Sequence, residues 1–183
     1  NVENLACAIL VSRLAGAGAI AVKSVIRSFK TAHHRLQLVV QNRGIDYYDD
    51  SKATNVASVL CALESIKQPI VLIVGGRGKG EDYASLADVT KKAVVRGAIV
   101  IGEEAKTFEK ILGKVMPVVK VTGTKDGKKI MKKAVEKATS LAEPGDAVIL
   151  SPACSSFDMF ENYEKRGMAF QEAARELNNL LIE

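Results

Sequence analysis

Three segments of the sequence concentrate polar groups of the kinds that bind anions. The first is DDSKATN, residues 49–55, which offers two carboxylates, two hydroxyls, an ammonium and an amide. The second is GGRGKG, residues 75–80, and the third is SPACSSFDMFENYEKRG, residues 151–167. A helix cap needs only one Asp, Ser or Thr side chain to accept from the N–H groups of the first turn. The surplus in the first segment therefore indicates a ligand.

Short β-branched runs alternate along the chain with amphipathic stretches. Strands are predicted on both sides of a turn at residues 42–44, and near residues 69–76, 97–102, 116–122 and 146–151. Helices are predicted at about 53–66, 85–96, 105–114, 125–142 and 166–181. This order predicts an α/β fold: a mostly parallel, Rossmann-like doubly wound sheet with helices on both faces, preceded by a short helical remnant.

The three polar segments should meet at one edge of this sheet. Each follows a predicted strand, and the carboxyl ends of parallel strands share the edge at which such sheets bind ligands. The loops after the remaining strands, GEE at residues 102–104 and GTKDG at residues 123–127, look short and ordinary. The ligand-binding residues are therefore expected in residues 49–55, 75–80 and 151–167 along one edge of the sheet, which we call the rim.

Composition narrows the class of protein. The 183 residues are 48% hydrophobic and carry 26 Lys and Arg against 21 Asp and Glu. We expect neither a secretory signal nor a membrane span, since no apolar run approaches the roughly 20 residues that a span needs. Dispersed basic residues and only 5% aromatic residues disfavour nucleic-acid binding. Three widely spaced cysteines favour a reducing, cytoplasmic location.

Two glycine-rich stretches can be explained by backbone conformation alone as well as by ligand binding. The glycines of residues 75–80 suit a tight turn with Lys79 as a solvated lysine. The stretch is not a P-loop, because Ile73 stands where the first Gly is required and Gly80 where Ser or Thr is required. GAGAIA at residues 16–21 follows a helical stretch rather than a strand, so it is interpreted as a helix end.

The third segment does not have the pattern of a hydrolase. It lacks G-x-S-x-G, and the two histidines, His33 and His34, are expected at the surface, without metal-ligand spacing. Cys154 is expected to be a small buried residue. The hydroxyls and backbone N–H groups of this segment suit a carboxylate or phosphate instead.

In this order and at these distances, the three segments resemble the carboxy-terminal domain of the UDP-N-acetylmuramoyl-L-alanine:D-glutamate ligases (MurD), within the Mur ligases. The opening NVENLACAI, which begins in mid-helix, and HHRLQ resemble the end of that family's central ATPase domain and the junction that follows. The resemblance implies that residues 1–32 are a helical tail of that domain and residues 33–183 a Rossmann-like amino-acid-binding domain. Asp49 and Gln37 depart from the Asn and Glu that the family often has.

The resemblance implies an ATP-dependent amide ligation in peptidoglycan precursor synthesis. ATP, as co-substrate, phosphorylates the carboxylate of UDP-N-acetylmuramoyl-L-alanine, and the amine of D-glutamate attacks the acyl phosphate. Mg²⁺ is expected in the full enzyme, with its ligands outside this chain. No Walker A motif is present, so the chain should be inactive without the N-terminal and central domains.

The resemblance also assigns residues to ligands. Lys52 takes the catalytic role between the two ligands. The D-glutamate contacts are Thr54, Lys79, Ser156, the backbone at Phe157, and Tyr163. The nucleotide contacts are Asn4 at the adenine, Arg35 at the phosphates and Asp50 on the ribose.

Two alternatives stay open at this point. One is a stand-alone α/β module that binds a dicarboxylic amino acid or a nucleotide without chemistry. The other is a Mur or folylpolyglutamate-type ligase that adds a different amino acid. A P-loop domain upstream in the gene would separate a ligase from a binding module.

Overall fold

The computed structural model describes residues 2–29, 32–92, 94–124 and 126–179, and the chain divides into two compact units, residues 1–32 and 33–183. The first unit holds helices α1 (Val2–Leu14) and α2 (Ala19–Ser28). Residues 15–18 separate them, so the interpretation of GAGAIA as a helix end is confirmed.

Neither helix of the first unit has a buried residue among those described. Most of their large apolar side chains are exposed, and these include Val2, Leu10, Val11, Leu14 and Ile20. A helix normally buries one apolar stripe against another element. These two helices therefore do not make a hydrophobic core between themselves.

The second unit is an α/β domain. Its strands are β1 (Gln37–Asn42), β2 (Ile45–Asp49), β3 (Ile70–Gly75), β4 (Val95–Ile101), β5 (Val118–Lys120) and β6 (Ala147–Leu150). Its helices are α3 (Val56–Ser65), α4 (Ala84–Lys92), α5 (Ala105–Leu112), α6 (Gly127–Leu141) and α7 (Tyr163–Asn179). The strands form one sheet in the order β1-β2-β6-β3-β4-β5, with only the β1–β2 pair antiparallel among those described. The predicted fold class is confirmed.

Two hydrophobic clusters cover the two faces of this sheet. Val71 and Ile73 of β3 belong to a cluster with α6 and α7, whereas Leu72 and Val74 belong to a cluster with α3, α4 and α5. Successive side chains of a strand point to opposite faces, so a strand covered on both faces must be apolar throughout. That requirement explains the uninterrupted run IVLIVG, whose six residues are all buried.

Some predicted boundaries were wrong, and side-chain pairing explains one of them. The helix predicted to reach residue 96 ends at Lys92, and β4 begins at Val95. Val95 pairs with Ile70 of β3, and Arg96 forms a forked ion pair with the buried Asp146, at 2.6 and 3.0 Å. The last helix begins at Tyr163, three residues before the predicted start at residue 166.

The guanidinium of Arg166, on α7, joins the first and third polar segments. It is fully buried, and its Nε and Nη2 donate to the hydroxyl and carbonyl oxygens of Ser51 at 3.0 and 2.8 Å. Its Nη1 donates to the carbonyl of Cys154 at 3.0 Å. Gly76 must be glycine beside this group, because its φ is +137° and a Cβ there would meet the Ser155 carbonyl. Through its hydrogen bonds to Ser51 and Cys154, Arg166 therefore fixes the distance between the loops that follow β2 and β6.

We expect Arg166→Ala to lower the free energy of unfolding by about 3 to 5 kcal/mol, because it leaves buried acceptors without donors. Arg166→Lys should restore only part of this, since an ammonium cannot reproduce the planar fork. Urea unfolding of the chain measures both.

Arg175→Ala is the matched control on the same helix, because Arg175 is exposed and bonds only to the Gln171 side chain, at 3.2 Å, among the described residues. It should cost less than about 0.5 kcal/mol. Equal losses for Ala at residues 166 and 175 would contradict the role given to Arg166.

Candidate active site at the carboxyl edge of the sheet

The three polar segments lie at one edge, as predicted, because they follow the neighbouring strands β2, β6 and β3. Main-chain hydrogen bonds join them. Arg77 and Ser155 exchange two N–H···O bonds, each 3.0 Å long, and the Ala153 N–H donates to the Ala53 carbonyl at 2.9 Å. The edge is thus one continuous surface built from three loops.

Lys79 and Thr54 are in contact across two of these loops. The Lys79 ammonium lies 3.3 Å from both the carbonyl and the hydroxyl oxygen of Thr54. Lys79 is exposed and Thr54 is half-buried, so both can reach a ligand. An ammonium beside a hydroxyl suits a carboxylate, which accepts from each of them.

Ser156 and Phe157 follow the Arg77–Ser155 pairing directly, which places them beside the loop that carries Lys79. Ser156 is buried, whereas Phe157 is 62% exposed. A single exposed apolar side chain is common on protein surfaces, so the exposure of Phe157 alone does not mark a contact.

Lys52 and Tyr163 also meet. The Lys52 ammonium lies 5.3 Å from the centroid of the Tyr163 ring, within the range of a cation–π interaction. The Lys52 N–H donates to the His34 carbonyl at 3.1 Å, and the Ser51 hydroxyl donates to the Tyr163 carbonyl at 2.8 Å. These two bonds hold the backbone at residues 51 and 52, and the Lys52 ammonium itself contacts the Tyr163 ring.

Asp50 is buried, and both of its oxygens accept hydrogen bonds. Oδ1 accepts from the Leu36 N–H at 3.1 Å, and Oδ2 accepts from the Ser151 hydroxyl at 2.8 Å. Burial raises the pKa of Asp50 to about 6, although these bonds and the charge of the exposed Arg35 oppose the rise. At neutral pH the carboxylate predominates, and each oxygen keeps a further lone pair for a donor from a ligand.

The predicted surface position of His34 was wrong, although His33 is exposed as expected. The His34 Nδ1–H donates to Asp49 Oδ2 at 2.6 Å, and Gln171 donates to the same oxygen at 2.7 Å. Gly167 lets α7 approach, because a Cβ there would overlap the His34 ring. A buried carboxylate needs donors, and His34 supplies one by leaving the surface.

Cys154 is buried, as predicted, and its environment excludes a thiolate nucleophile. Burial raises the pKa of the Cys154 thiol to about 11, so the thiol is protonated at neutral pH. Its sulfur lies 3.4 Å from the Tyr83 hydroxyl. Cys154 is therefore a packing residue beneath the third polar segment and not a nucleophile that attacks a substrate.

The GEE loop, expected to be ordinary, takes part in the rim. Glu103 forms a forked ion pair with Arg77, at 2.9 and 3.0 Å, and its N–H donates to Asp158 Oδ2 at 3.0 Å. The other oxygen of Asp158 is buried without a partner among the described residues, and burial raises the pKa of this carboxyl. The third polar segment is thus attached to β4 as well as to β2 and β3.

Sequence reasoning missed Arg166, His34 and Glu103. Arg166 falls within a segment already recognised as polar. A sequence does not show, however, which of its arginines is buried. The pairing of His34 with Asp49 spans 15 residues, and that of Arg77 with Glu103 spans 26. The first contact depends on the register of the β1–β2 hairpin and the second on the order of strands in the sheet, rather than on local sequence pattern.

Asn4 lies exposed on α1, in the first unit. Within the described residues, no group of three or more His, Cys, Asp or Glu side chains is arranged to hold a metal ion. None of the described helices is both long and apolar enough to cross a bilayer.

We expect Asp50→Asn to raise the free energy of unfolding relative to the wild type at neutral pH, but not near pH 4. The pKa of this carboxyl is about 6 in the native state against an ordinary 3.8, so the native state binds more protons between these values. The wild type therefore loses stability as pH rises through this window, and asparagine does not. Urea unfolding of both proteins in steps from about pH 4 to 7 measures the difference. A difference that is independent of pH would contradict the burial argument.

The chain is similar to known ligases over most of its length. The sequence profile described as "Mur ligase, glutamate ligase domain" matches residues 34–154. The UDP-N-acetylmuramoylalanine–D-glutamate ligase of Acidobacterium capsulatum is 41% identical over 172 residues, which are 94% of this chain and 36% of that protein. The enzyme of the same name from Coxiella burnetii is 45% identical over 157 residues, 84% of this chain and 34% of that protein. The chain spans about a third of the length of these curated relatives.

A solved structure shares the fold. A pseudomurein peptide ligase type C from Methanothermus fervidus aligns with a TM-score of 0.73 at 17% identity, covering 97% of this chain and 36% of that chain. At this identity the likeness concerns the fold alone. The resemblance seen in the three polar segments is confirmed by the family profile, which covers more than half of the chain, and by the two relatives. The chain belongs to the Mur ligase family, whose glutamate ligase domain it carries.

Proposed function

We propose that this chain is the carboxy-terminal part of an ATP-dependent ligase that joins D-glutamate to UDP-N-acetylmuramoyl-L-alanine in peptidoglycan precursor synthesis. The names of the relatives support the substrate, and the third of their length that the chain spans supports its place in a larger enzyme. The observation that carries the proposal is the Lys79–Thr54 contact at 3.3 Å, in a rim that three loops complete. The three free cysteines agree with a reducing, cytoplasmic location.

The reaction proposed has two steps. The substrate carboxylate attacks the γ-phosphorus of ATP, ADP leaves, and an acyl phosphate forms. The amine of D-glutamate then attacks the acyl carbon, releases a proton and forms the amide bond, while inorganic phosphate leaves. Mg²⁺, the UDP-sugar site and the contacts to the ATP phosphates other than that of Arg35 are assigned to the domains that precede this one. The task of this chain is to hold the amino acid and part of the nucleotide in line.

Each rim residue has a proposed role that follows from its chemistry. Lys79, Thr54 and Ser156 donate to the carboxylates of D-glutamate, and the Phe157 backbone and Tyr163 complete its surroundings. Lys52, held beside Tyr163, neutralises charge on the transferring phosphoryl group or the tetrahedral intermediate. Asp50 accepts from the ribose hydroxyls with its remaining lone pairs, Arg35 approaches the phosphates, and Asn4 contacts the adenine.

The first unit is proposed to be the tail of the central ATPase domain. Its two helices bury no described residue and expose large apolar side chains, which a preceding domain would cover. The same proposal accounts for the position of Asn4, whose ligand would be bound mainly by that domain.

We expect Lys79→Ala in the complete ligase to raise the KM for D-glutamate by about tenfold or more, because a charge-assisted contact contributes roughly 1.5 to 3 kcal/mol. The KM for ATP should change little, since other residues hold the nucleotide. Lys79→Arg should restore binding only in part, because its donors are placed differently. Steady-state kinetics with each of the three substrates varied in turn provide the measurement.

Lys67→Ala is the control for loss of a lysine. The Lys67 ammonium lies beyond the carboxyl end of α3, 3.4 Å from the Glu64 carbonyl, at the opposite edge of the sheet. This variant should behave as the wild type. If Lys79→Ala leaves the KM for D-glutamate unchanged, the assignment of the amino-acid site is wrong.

The isolated chain should show neither ATPase nor ligase activity, because its sequence has no Walker A motif and the relatives are about three times as long. Phosphate release with ATP, D-glutamate and UDP-N-acetylmuramoyl-L-alanine is the assay. Turnover by the purified chain that disappears in Lys52→Ala would contradict this expectation and favour a complete enzyme.

A further inference from the structure

We infer that Glu81 is a positioning residue for the amino-acid site, because it holds the Lys79 loop on the start of α3. Glu81 Oε2 accepts from the Val56 N–H at 3.0 Å, and it is half-buried. Two residues earlier, the Lys79 ammonium bonds to Thr54. Two side chains of one loop, two positions apart, therefore bond to Thr54, just before α3, and to Val56, its first residue.

Gly80 makes this double attachment possible. Its φ is +78°, a left-handed conformation that favours glycine, and it turns the chain between Lys79 and Glu81. A Cβ at Gly80 would meet nothing within 4 Å, so the requirement is conformational rather than steric. The turn lets a cation and an anion two positions apart both bond to residues 54 and 56.

The start of α3 carries partial positive charge and N–H groups without partners in the helix. Asn55 satisfies one of them, since its Oδ1 accepts from the Ser58 N–H at 2.8 Å. Glu81 satisfies the Val56 N–H and supplies the negative charge that this helix end favours. A carboxylate of the protein therefore occupies the helix end, and a carboxylate ligand is directed to Lys79, Thr54 and Ser156 instead.

This inference rests on the proposed function, and it deepens it by naming a residue that acts through Lys79 rather than on the substrate. In the complete ligase, Glu81→Ala should raise the KM for D-glutamate about three- to tenfold, because the loop loses one of its two attachments. The kcat and the KM for ATP should stay near wild-type values. Glu81→Gln keeps an oxygen that accepts from the Val56 N–H, so its KM should remain within about twofold of the wild type.

Two controls separate positioning from a general loss of structure. Asp82→Ala removes the neighbouring carboxylate, which bonds to the Ala84 N–H at 2.9 Å at the start of α4, and it should leave the KM for D-glutamate unchanged. Glu81→Ala placed in a Lys79→Ala background should add little to the KM, because the ammonium that it positions is gone. Thermal unfolding of each variant shows that the comparison is made on folded protein.

The outcomes are distinct. A raised KM for Glu81→Ala, with recovery in Glu81→Gln and no further effect in the double variant, supports the inference. An unchanged or lowered KM for Glu81→Ala overturns it, and the proposed function still stands if Lys79→Ala raises the KM. Additive effects in the double variant also overturn it, since Glu81 would then act independently of Lys79. If neither single variant changes the KM, the proposed amino-acid site itself fails.

Discussion

The rim depends on one buried guanidinium. Desolvation of Arg166 lowers its pKa to about 10, so the group is still charged at neutral pH and must be satisfied where it lies. Three acceptors on Ser51 and Cys154 and the charges of Asp158 and Asp49 provide that compensation. Because those acceptors belong to loops after β2 and β6, satisfying the charge also fixes the distance between the loops.

A buried charge is an inefficient source of stability, since apolar residues of similar volume often do as well. The advantage of Arg166 here is that its hydrogen bonds point in fixed directions. A planar fork with donors in fixed positions adds directional hydrogen bonds between two loops that also share a hydrophobic cluster through Ala53, Ala153 and Cys154. Lys52, which is half-buried, and Lys79, which is exposed, lie in the loops after β2 and β3, where an anionic ligand can reach them. The charge that holds the loops together, that of Arg166, is therefore buried, whereas the charges proposed to bind the ligand lie nearer the surface.

The sequence predicted what depends on local pattern. The uninterrupted apolar run of β3 and the alternation of strands with helices gave the sheet, and the position of the three polar segments after strands gave the edge at which they meet. It did not predict which polar residues turn inward. From the sequence, His34 is predicted at the surface, and the structure instead places it beside the buried Asp49. Glu103 is predicted to be an ordinary loop residue, and the pairing of β4 with β3 brings it to Arg77. The first pairing follows from the register of the β1–β2 hairpin and the second from the order of strands in the sheet, and hydrophobic periodicity encodes neither.

The cysteines have a practical consequence. Cys7 and Cys61 are exposed, one in each compact unit, whereas Cys154 is buried and its thiol resists ionisation. A maleimide dye at neutral pH should therefore modify one thiol per unit and spare the third, without any engineered cysteine. The unmodified sequence thus already carries a pair of attachment points for fluorescence energy transfer, and the distance between the units becomes a quantity that ligand titrations can follow in solution.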